Sequence, residues 1–349
     1  MKRSYSVSSL ITVISLLLGV IWLSPALAAD VPTFAPLGQI TAEGLRVPGA
    51  MDLDEAGNLY VADARGGLVH KFNTYGGLVQ SFDLQVSGRG LAVTPDGTRL
   101  YVSRKQSVVI VDVAEGAVIG ALTGAEAAGP EFGVAGEIDL DAFGNVFVVD
   151  AGNMLVKIYS ALGQYQSRFG GIGKDAGQFL QIGGMAINAS GQVVVADSSA
   201  LNGKVQVFTV NADLSVAPPV TYSKDIAANF GSPIMHAPRG MAFDNQGRGY
   251  FLEFMKSQVR VTSESFAYLA TYNQFGYAVG QLNNVIDTIF DNVNSRLFVG
   301  CDTGRIEILG IDGGQSPVYV NHAPTVPVSQ SPIGGSEVNT TSPALVVNN

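Results

Sequence analysis

The chain has 349 residues, of which 47% are hydrophobic and only 14% are charged, with 42 glycines and a single cysteine. This composition excludes the disordered and collagen-like classes. The net charge of −9, without any run of lysine or arginine, argues against a nucleic-acid-binding surface. A chain of this length holds one to three domains, and an all-β barrel or propeller uses most of it in one unit.

Residues 1–28 have the pattern of a secretory signal peptide. Lys2 and Arg3 precede an apolar run at residues 10–23, and a small-residue Ala-Leu-Ala site ends at Ala28. The apolar run is shorter than the about 20 residues that a membrane-spanning helix needs. We therefore predict an exported protein, periplasmic or extracellular at the cell surface, that does not span the membrane after cleavage. Its mature chain carries 18 basic and 29 acidic side chains, a net charge of −11.

An internal repeat organises most of the remaining chain. A hydrophobic strand, a polar turn and a second strand recur six times. The turns are closed by Gly57, Gly97, Gly144, Gly191, Gly247 and Ser295. Spacings of 40 to 56 residues, with several short strands in each unit, are typical of propeller blades. Each unit continues with a third strand of mostly alternating apolar and polar residues, which predicts a half-buried strand.

The number of strands in each unit predicts how the ring closes. A fourth strand follows the third in five units, including one at residues 214–222, but the sixth unit lacks it. Residues 34–40 have the pattern of an outer strand and no unit of their own. We predict that this N-terminal strand completes the last blade and removes an open sheet edge. The predicted fold is all-β, a six-bladed β-propeller over residues 29–314.

The repeats resemble the NHL-repeat family of six-bladed β-propellers, in its bacterial secreted form. The resemblance rests on Val47-Pro-Gly49 with DLDEAGNLYVADARGGLVHKF, on residues 150–159 followed by LGQYQSRFGGIGKDAGQF, and on HAPRGMAFD from His236. It covers residues 33–314 and implies the six-bladed fold. The second unit, with TPDGTRLYVS, is more similar to the related surface-protein propeller repeat.

Charged residues on the predicted innermost strands form a candidate channel site. These residues are Arg89, Glu137, Asp139, Arg239 and Asp287. A channel mouth with both signs of charge suits a small polar ligand. The alternative is that the same groups pair with one another across neighbouring blades.

A second polar set ends the second strands. Its members are Asp63, Arg104, Asp150, Asp197, Glu253 and Cys301. We expect these carboxylates to accept backbone N–H groups of the following turns rather than to bind a cation, since Asp does this well without a ligand. We expect Cys301 to be a small buried thiol, because it lies in a strand-like LFVGC run.

The connections between the units are the other candidate site. They are long, rich in glycine and alanine, and carry the aromatic residues Phe132, Phe230, Phe275 and Tyr277. Loops on a rigid scaffold are where binding surfaces are usually built. We predict that they contact a protein partner or a cell-surface glycan.

The sequence has few constellations that carry catalysis. It contains three histidines and lacks GxSxG, HExxH, phosphate-loop and CxxCH motifs. We therefore predict a non-catalytic binding or assembly module without a cofactor. The alternative is a metal-dependent lactonase-like or lyase-like propeller enzyme, with calcium held by Glu137, Asp139, Asn188 and Asp287. The resemblance implies metal-binding histidines near the channel for a lyase, and this sequence does not match them.

Residues 315–349 differ in composition, being rich in Pro, Ser, Thr and Asn without lysine or arginine. The stretch NHAPTVPVSQSPIGGSEVNTTSPALVV resembles the first strands of an immunoglobulin-like or fibronectin-like surface module. Such a sandwich needs about 100 residues. We therefore expect a disordered tail or a truncated module.

Overall fold

The computed structural model describes residues 31–124, 131–199, 204–223 and 238–315. The predicted signal peptide, Phe230 and the tail beyond residue 315 lie outside these residues. Within them, 24 strands form six four-stranded antiparallel sheets. No helix in these ranges is long and apolar enough to cross a membrane.

The six sheets are the blades of a β-propeller, as the repeat predicts. Blade 1 contains β2 (Pro48–Leu53), β3 (Leu59–Asp63), β4 (Leu68–Phe72) and β5 (Leu78–Asp83), and blade 2 contains β6 (Leu91–Val93), β7 (Arg99–Arg104), β8 (Ser107–Asp112) and β9 (Ala117–Leu122). Blade 3 contains β10 (Ala135–Leu140), β11 (Val146–Asp150), β12 (Leu155–Tyr159) and β13 (Tyr165–Gly170), and blade 4 contains β14 (Ile182–Ile187), β15 (Val193–Asp197), β16 (Lys204–Phe208) and β17 (Val220–Ser223). Blade 5 contains β18 (Pro238–Phe243), β19 (Gly249–Glu253), β20 (Gln258–Thr262) and β21 (Tyr268–Tyr272), and blade 6 contains β22 (Val285–Asp291), β23 (Arg296–Cys301), β24 (Arg305–Ile311) and β1 (Phe34–Thr41). A 3-10 turn, Phe254–Lys256, joins β19 to β20.

The first strands of the blades form the wall of the central channel. Each first strand contacts the first strand of the next blade, and β22 contacts β2, so the ring is closed. In a ring of six, blades 1 and 4, 2 and 5, and 3 and 6 lie opposite one another. Because the strands alternate in direction, the first strands start on the face where the second strands end and where the blades are connected. We call this the connection face. The opposite face carries the turns between the first and second strands and between the third and fourth strands, and we call it the turn face.

The N-terminal strand closes the ring as predicted. β1 pairs antiparallel with β24, from Phe34 opposite Ile311 to Thr41 opposite Arg305. Ile40 of β1 is buried in a cluster with residues of blades 1 and 6. The last blade is therefore built from both ends of the propeller sequence.

The middle strands are more buried than the sequence pattern predicts. The second strands β3, β11, β15 and β19 are buried along their whole length, as are the third strands β16, β20 and β24. The prediction of half-buried third strands is wrong for these three, because each blade packs against a neighbour on both faces. The predicted fourth strand at residues 214–222 is also shorter, because Leu214 belongs to a turn with positive φ and the strand spans only Val220–Ser223.

Candidate functional site

The acidic residues that end the second strands fix the blade connections. The carboxylate of Asp63 accepts backbone N–H bonds from Arg46, at 3.0 Å, and from Arg65, at 2.9 Å. Asp197 does the same with Leu180, at 2.9 Å, and Ser199, at 3.0 Å. Each carboxylate thus ties the connection before its blade to the turn after its second strand. These acids are architectural, as the sequence predicts.

Three of the four remaining members are also occupied or buried, whereas Arg104 is exposed. Asp150 forms an ion pair with Lys157 of the next strand at 3.1 Å, and Glu253 forms one with Arg260 at 3.0 Å. Cys301 is buried, and burial raises the pKa of its thiol. A buried, protonated thiol is a poor nucleophile.

Four of the five candidate channel residues occupy two consecutive positions of the repeat, at the start of the first strands. The first position holds Gly49, Arg89, Gly136, Gly183, Arg239 and Ile286, and the second holds Ala50, Gly90, Glu137, Gly184, Gly240 and Asp287. Small residues prevail because neighbouring strands approach closely here. A methyl group added at Gly240, for example, would lie 2.7 Å from the Cα atom of Asp287. The exceptions are Ile286 and the four charged residues.

The charged residues are arranged as two opposed pairs. Arg89 lies in blade 2 and Arg239 in the opposite blade 5, at the same position of the repeat. Glu137 lies in blade 3 and Asp287 in the opposite blade 6, one position further along. Blades 1 and 4 carry only glycine or alanine at both positions. The channel therefore has an approximate two-fold arrangement of charge.

These four side chains line one cavity of about 440 Å³ on the connection face. All members of the two positions except Gly90 contribute to its wall. The structure therefore brings together Arg89, Glu137, Arg239 and Asp287, four of the five residues that the sequence places in the channel. Asp139 instead lines a second cavity of about 350 Å³ on the turn face, together with Asp52.

Three of the channel carboxylates hold neighbouring first strands together. Asp52 Oδ2 accepts the backbone N–H of Val93, at 2.8 Å, from the next blade. Asp139 Oδ2 accepts that of Ile187 at 2.7 Å. Asp287 makes the same bond from blade 6 to blade 1. These three carboxylates therefore bind backbone N–H groups of the next blade and do not pair with the candidate arginines, as the alternative expected. Glu137 has no hydrogen bond to any described group.

The channel carboxyl groups titrate far above their ordinary range. Burial raises the pKa of Asp52 to about 8, that of Asp287 to about 7 and that of Asp139 to about 6. Burial, with the nearby Asp287 and Asp139, raises the pKa of Glu137 well above its ordinary value. Clustered buried carboxyls cannot all be charged at once, because desolvation and mutual repulsion both favour the neutral form.

The residues proposed for calcium do not converge. Asn188 lies at the turn face, where its amide oxygen accepts the N–H groups of Ser190, at 3.1 Å, and Gln192, at 2.9 Å. Glu137 and Asp287 lie at the connection face. Within the described residues, no three His, Cys, Asp or Glu side chains are grouped so as to hold a metal ion.

The aromatic residues of the connections differ in exposure. Phe132 is 1% exposed and lies 4.1 Å from the ammonium of Lys157, so it caps its blade and offers no ring to a partner. Phe275 and Tyr277 are 65% and 66% exposed, and Val279 of the same loop is 49% exposed. Phe230 lies outside the described residues.

Met255 is a further exposed apolar residue on the connection face, which the sequence reasoning did not select. It is 71% exposed on the turn between β19 and β20. The hydroxyl of Ser257 in that turn accepts the N–H of Asn284, at 2.8 Å, from the end of the 273–284 connection. We call Met255, Phe275, Tyr277 and Val279 the apolar loop patch. The sequence offered no specific signal for Met255, because blade 3 carries a methionine, Met154, in the same turn between the second and third strands.

The comparisons with known proteins identify the fold class. No protein-family model matches the sequence, and no curated protein sequence is significantly similar to it. Among solved structures, virginiamycin B lyase from Staphylococcus aureus has 9% identity and a TM-score of 0.56 over 80% of this chain and 99% of its own. Hydrazine synthase from Kuenenia stuttgartiensis has 12% identity and a TM-score of 0.52 over 77% and 96%. A streptogramin B lyase has 11% identity and a TM-score of 0.54 over 80% and 98%. At these identities the similarity shows the propeller fold alone.

Proposed function

We propose that this chain is an exported, non-catalytic binding module of the bacterial secreted NHL type that holds a protein partner on its connection face. The observation that carries the proposal is the apolar loop patch. Methionine and aromatic residues are enriched in protein interfaces, and contiguous exposed apolar patches on monomers often mark them.

The loop that displays this patch is held in place. The guanidinium of Arg305 donates to the carbonyl oxygens of Gly276, at 2.8 Å, and Gln281, at 2.9 Å, and lies 5.3 Å from the ring of Tyr277. Glu307 accepts the N–H of Gly280 at 2.7 Å. A surface that is ordered before binding loses little conformational entropy when the partner docks.

The fold itself does not require apolar side chains at Tyr277 and Val279, whereas the position of Phe275 holds an exposed apolar residue, Ile172, in the equivalent loop as well. The connection between blades 3 and 4 forms the same loop, since Ile172 bridges Phe179 as Phe275 bridges Leu282. In that loop Lys174 and Ala176 stand where Tyr277 and Val279 stand here. The geometry is thus compatible with a less apolar surface, which favours a role in recognition.

Site-specific photo-crosslinking in the native host tests the proposal. A photoreactive residue at Phe275 should give a defined protein adduct, and the double variant Tyr277→Lys and Val279→Ala should reduce its yield at least about tenfold. Leu162, which is 82% exposed in a turn on the opposite face, is the matched control position and should give no adduct. Equal adducts from both positions, or an adduct unaffected by the double variant, would contradict the proposal. An adduct removed by glycosidase would identify a glycan instead.

Export is tested on the same material. Mass spectrometry of the protein from the envelope or medium should give a chain that begins at Ala29, as the predicted cleavage site requires. A chain that retains residues 1–28 would contradict the localisation.

The perturbed channel carboxyls favour a second candidate, a lyase-like or lactonase-like enzyme. Carboxyl groups with raised pKa values in a cavity are common at acid and base sites, although architectural networks also produce them. The measurement that separates the two is a melting curve in EDTA and in millimolar calcium or zinc. A metal-dependent rise in Tm that Asp287→Asn abolishes would favour the enzyme, and no rise with any metal would oppose its metal-dependent form.

A further inference from the structure

The connection-face cavity contains two cations that no described anion balances. Neither Arg89 nor Arg239 belongs to any of the ion pairs within 4 Å between described residues. Both side chains are exposed and line the cavity. The guanidinium of Arg239 lies over the ring of Phe254, at 4.0 Å, which fixes its position at the wall. Unpaired guanidinium groups in a cavity are recognition groups for anions.

The two guanidinium groups also act on each other. Burial lowers the pKa of Arg239, and the charge of Arg89 lowers it further. A ligand with two negative charges would neutralise both groups and remove their repulsion. A singly charged ligand would leave one of them unbalanced.

The acidic wall of the cavity is less negative than two ordinary carboxylates would make it. Burial, with the nearby Asp287 and Asp139, raises the pKa of Glu137 well above its ordinary value, and this favours the protonated carboxyl, which can donate a hydrogen bond. Asp287, with a pKa of about 7, is partly protonated, and its Oδ2 atom already accepts the N–H of Met51. Both shifts reduce the negative charge that faces the two guanidinium groups.

We propose that this cavity binds a small dicarboxylate, with one carboxylate group on Arg89, the other on Arg239, and Glu137 donating a hydrogen bond from blade 3. A planar guanidinium matches a carboxylate in a two-bond arrangement, and the two arginines come from opposed blades. The volume of about 440 Å³ lies in the range of about 300–1,000 Å³ typical of ligand pockets. This site is separate from the apolar loop patch and does not depend on partner binding.

Isothermal titration calorimetry of the purified protein at pH 6.5 and low ionic strength tests the proposal. The probes are malonate, succinate, glutarate and adipate, with propionate and inorganic phosphate for comparison. At least one dicarboxylate should bind saturably, at least about tenfold tighter than propionate or phosphate. Arg89→Gln and Arg239→Gln should each weaken this binding at least about tenfold. Arg104→Gln is the matched control, because Arg104 is exposed on the same face and does not line the cavity.

The outcomes are decisive in both directions. Binding that depends on both arginines and on ligand length supports the site. The absence of binding by all four dicarboxylates, or equal loss in Arg89→Gln and Arg104→Gln, overturns it. Tightest binding of phosphate without a length preference would identify a single-oxyanion site and also overturn the proposal. If a glutamine variant fails to melt cooperatively, Arg89→Lys and Arg239→Lys replace it. These variants keep the positive charge but lose the planar guanidinium that makes two parallel hydrogen bonds, so they should still weaken dicarboxylate binding.

Discussion

Asp287 Oδ2 accepts the backbone N–H of Met51 at 2.8 Å, which joins the last blade to the first at the channel wall. The pairing of β1 with β24 joins the N-terminal strand to the last blade at the outer edge. The ring is therefore closed both at the channel wall and at the outer edge of the last blade. The closure at the channel wall uses Asp287, which also lines the connection-face cavity. The closure of the ring and the proposed ligand cavity therefore share this part of the wall.

The outer closure predicts a large effect of a small substitution in β1. Ile40→Ala should lower the free energy of unfolding by about 3 kcal/mol, because it removes buried methyl groups from a cluster shared by blades 1 and 6. Urea denaturation measures it. Leu78→Ala, in the half-exposed outer strand of blade 1, is the control and should cost less than about 0.5 kcal/mol. Equal effects of the two variants would mean that the N-terminal strand is not part of the cooperative unit.

The architectural acids predict a position-dependent effect within the repeat. Asp197→Ala removes three backbone N–H bonds, from Leu180, Gln181 and Ser199, and should cost about 3 kcal/mol. Arg104→Ala, at the same repeat position in blade 2 but exposed, should cost less than about 0.5 kcal/mol. Thermal and urea unfolding both report the difference. A neutral Asp197→Ala would show that the connection is held by other contacts.

The single thiol should be inert in the folded protein. Cys301 is buried and its pKa is raised by that burial, so little thiolate is accessible to a reagent. Iodoacetamide at pH 8 should modify it at least about 100-fold more slowly in the native protein than in guanidinium chloride. A surface thiol from Gln80→Cys in a Cys301→Ser background should react quickly in both conditions. Fast native labelling of Cys301 would contradict the burial.

The repeat made the strands and their polar ends predictable, because turn residues and strand periodicity are local. The ends of the second strands at Asp63 and Asp197 agree with the sequence for that reason. The depth of a side chain in the channel was not predictable. Glu137 and Asp139 are two residues apart on β10, yet they line cavities on opposite faces. That difference depends on how six first strands pass one another, which no single repeat specifies.

Burial was the second property that the sequence could not supply. The alternating polar residues of the third strands resemble a solvent-facing pattern, but Gln206 and Glu307 are buried between blades and hold the connections. Phe132 and Phe275 are both aromatic residues of connections. The first packs on Lys157, whereas the second is on a loop that Arg305 holds at the surface. These outcomes depend on partners that are distant in sequence.

The channel carboxyls predict a protein that is more stable in mild acid than at alkaline pH. In the folded state Asp52, Asp287 and Asp139 have pKa values of about 8, 7 and 6, against 3.8 ordinarily. Between these values the folded state binds more protons than the unfolded state, so the free energy of unfolding falls as pH rises. Glu137 adds in the same direction, because its pKa is also raised by burial. Tm should fall by roughly 5 °C or more from pH 5 to pH 8.5. Asp52→Asn should reduce this fall, because the amide does not titrate, and a Tm that stays constant or rises over the same interval would contradict the raised pKa values of the channel carboxyls.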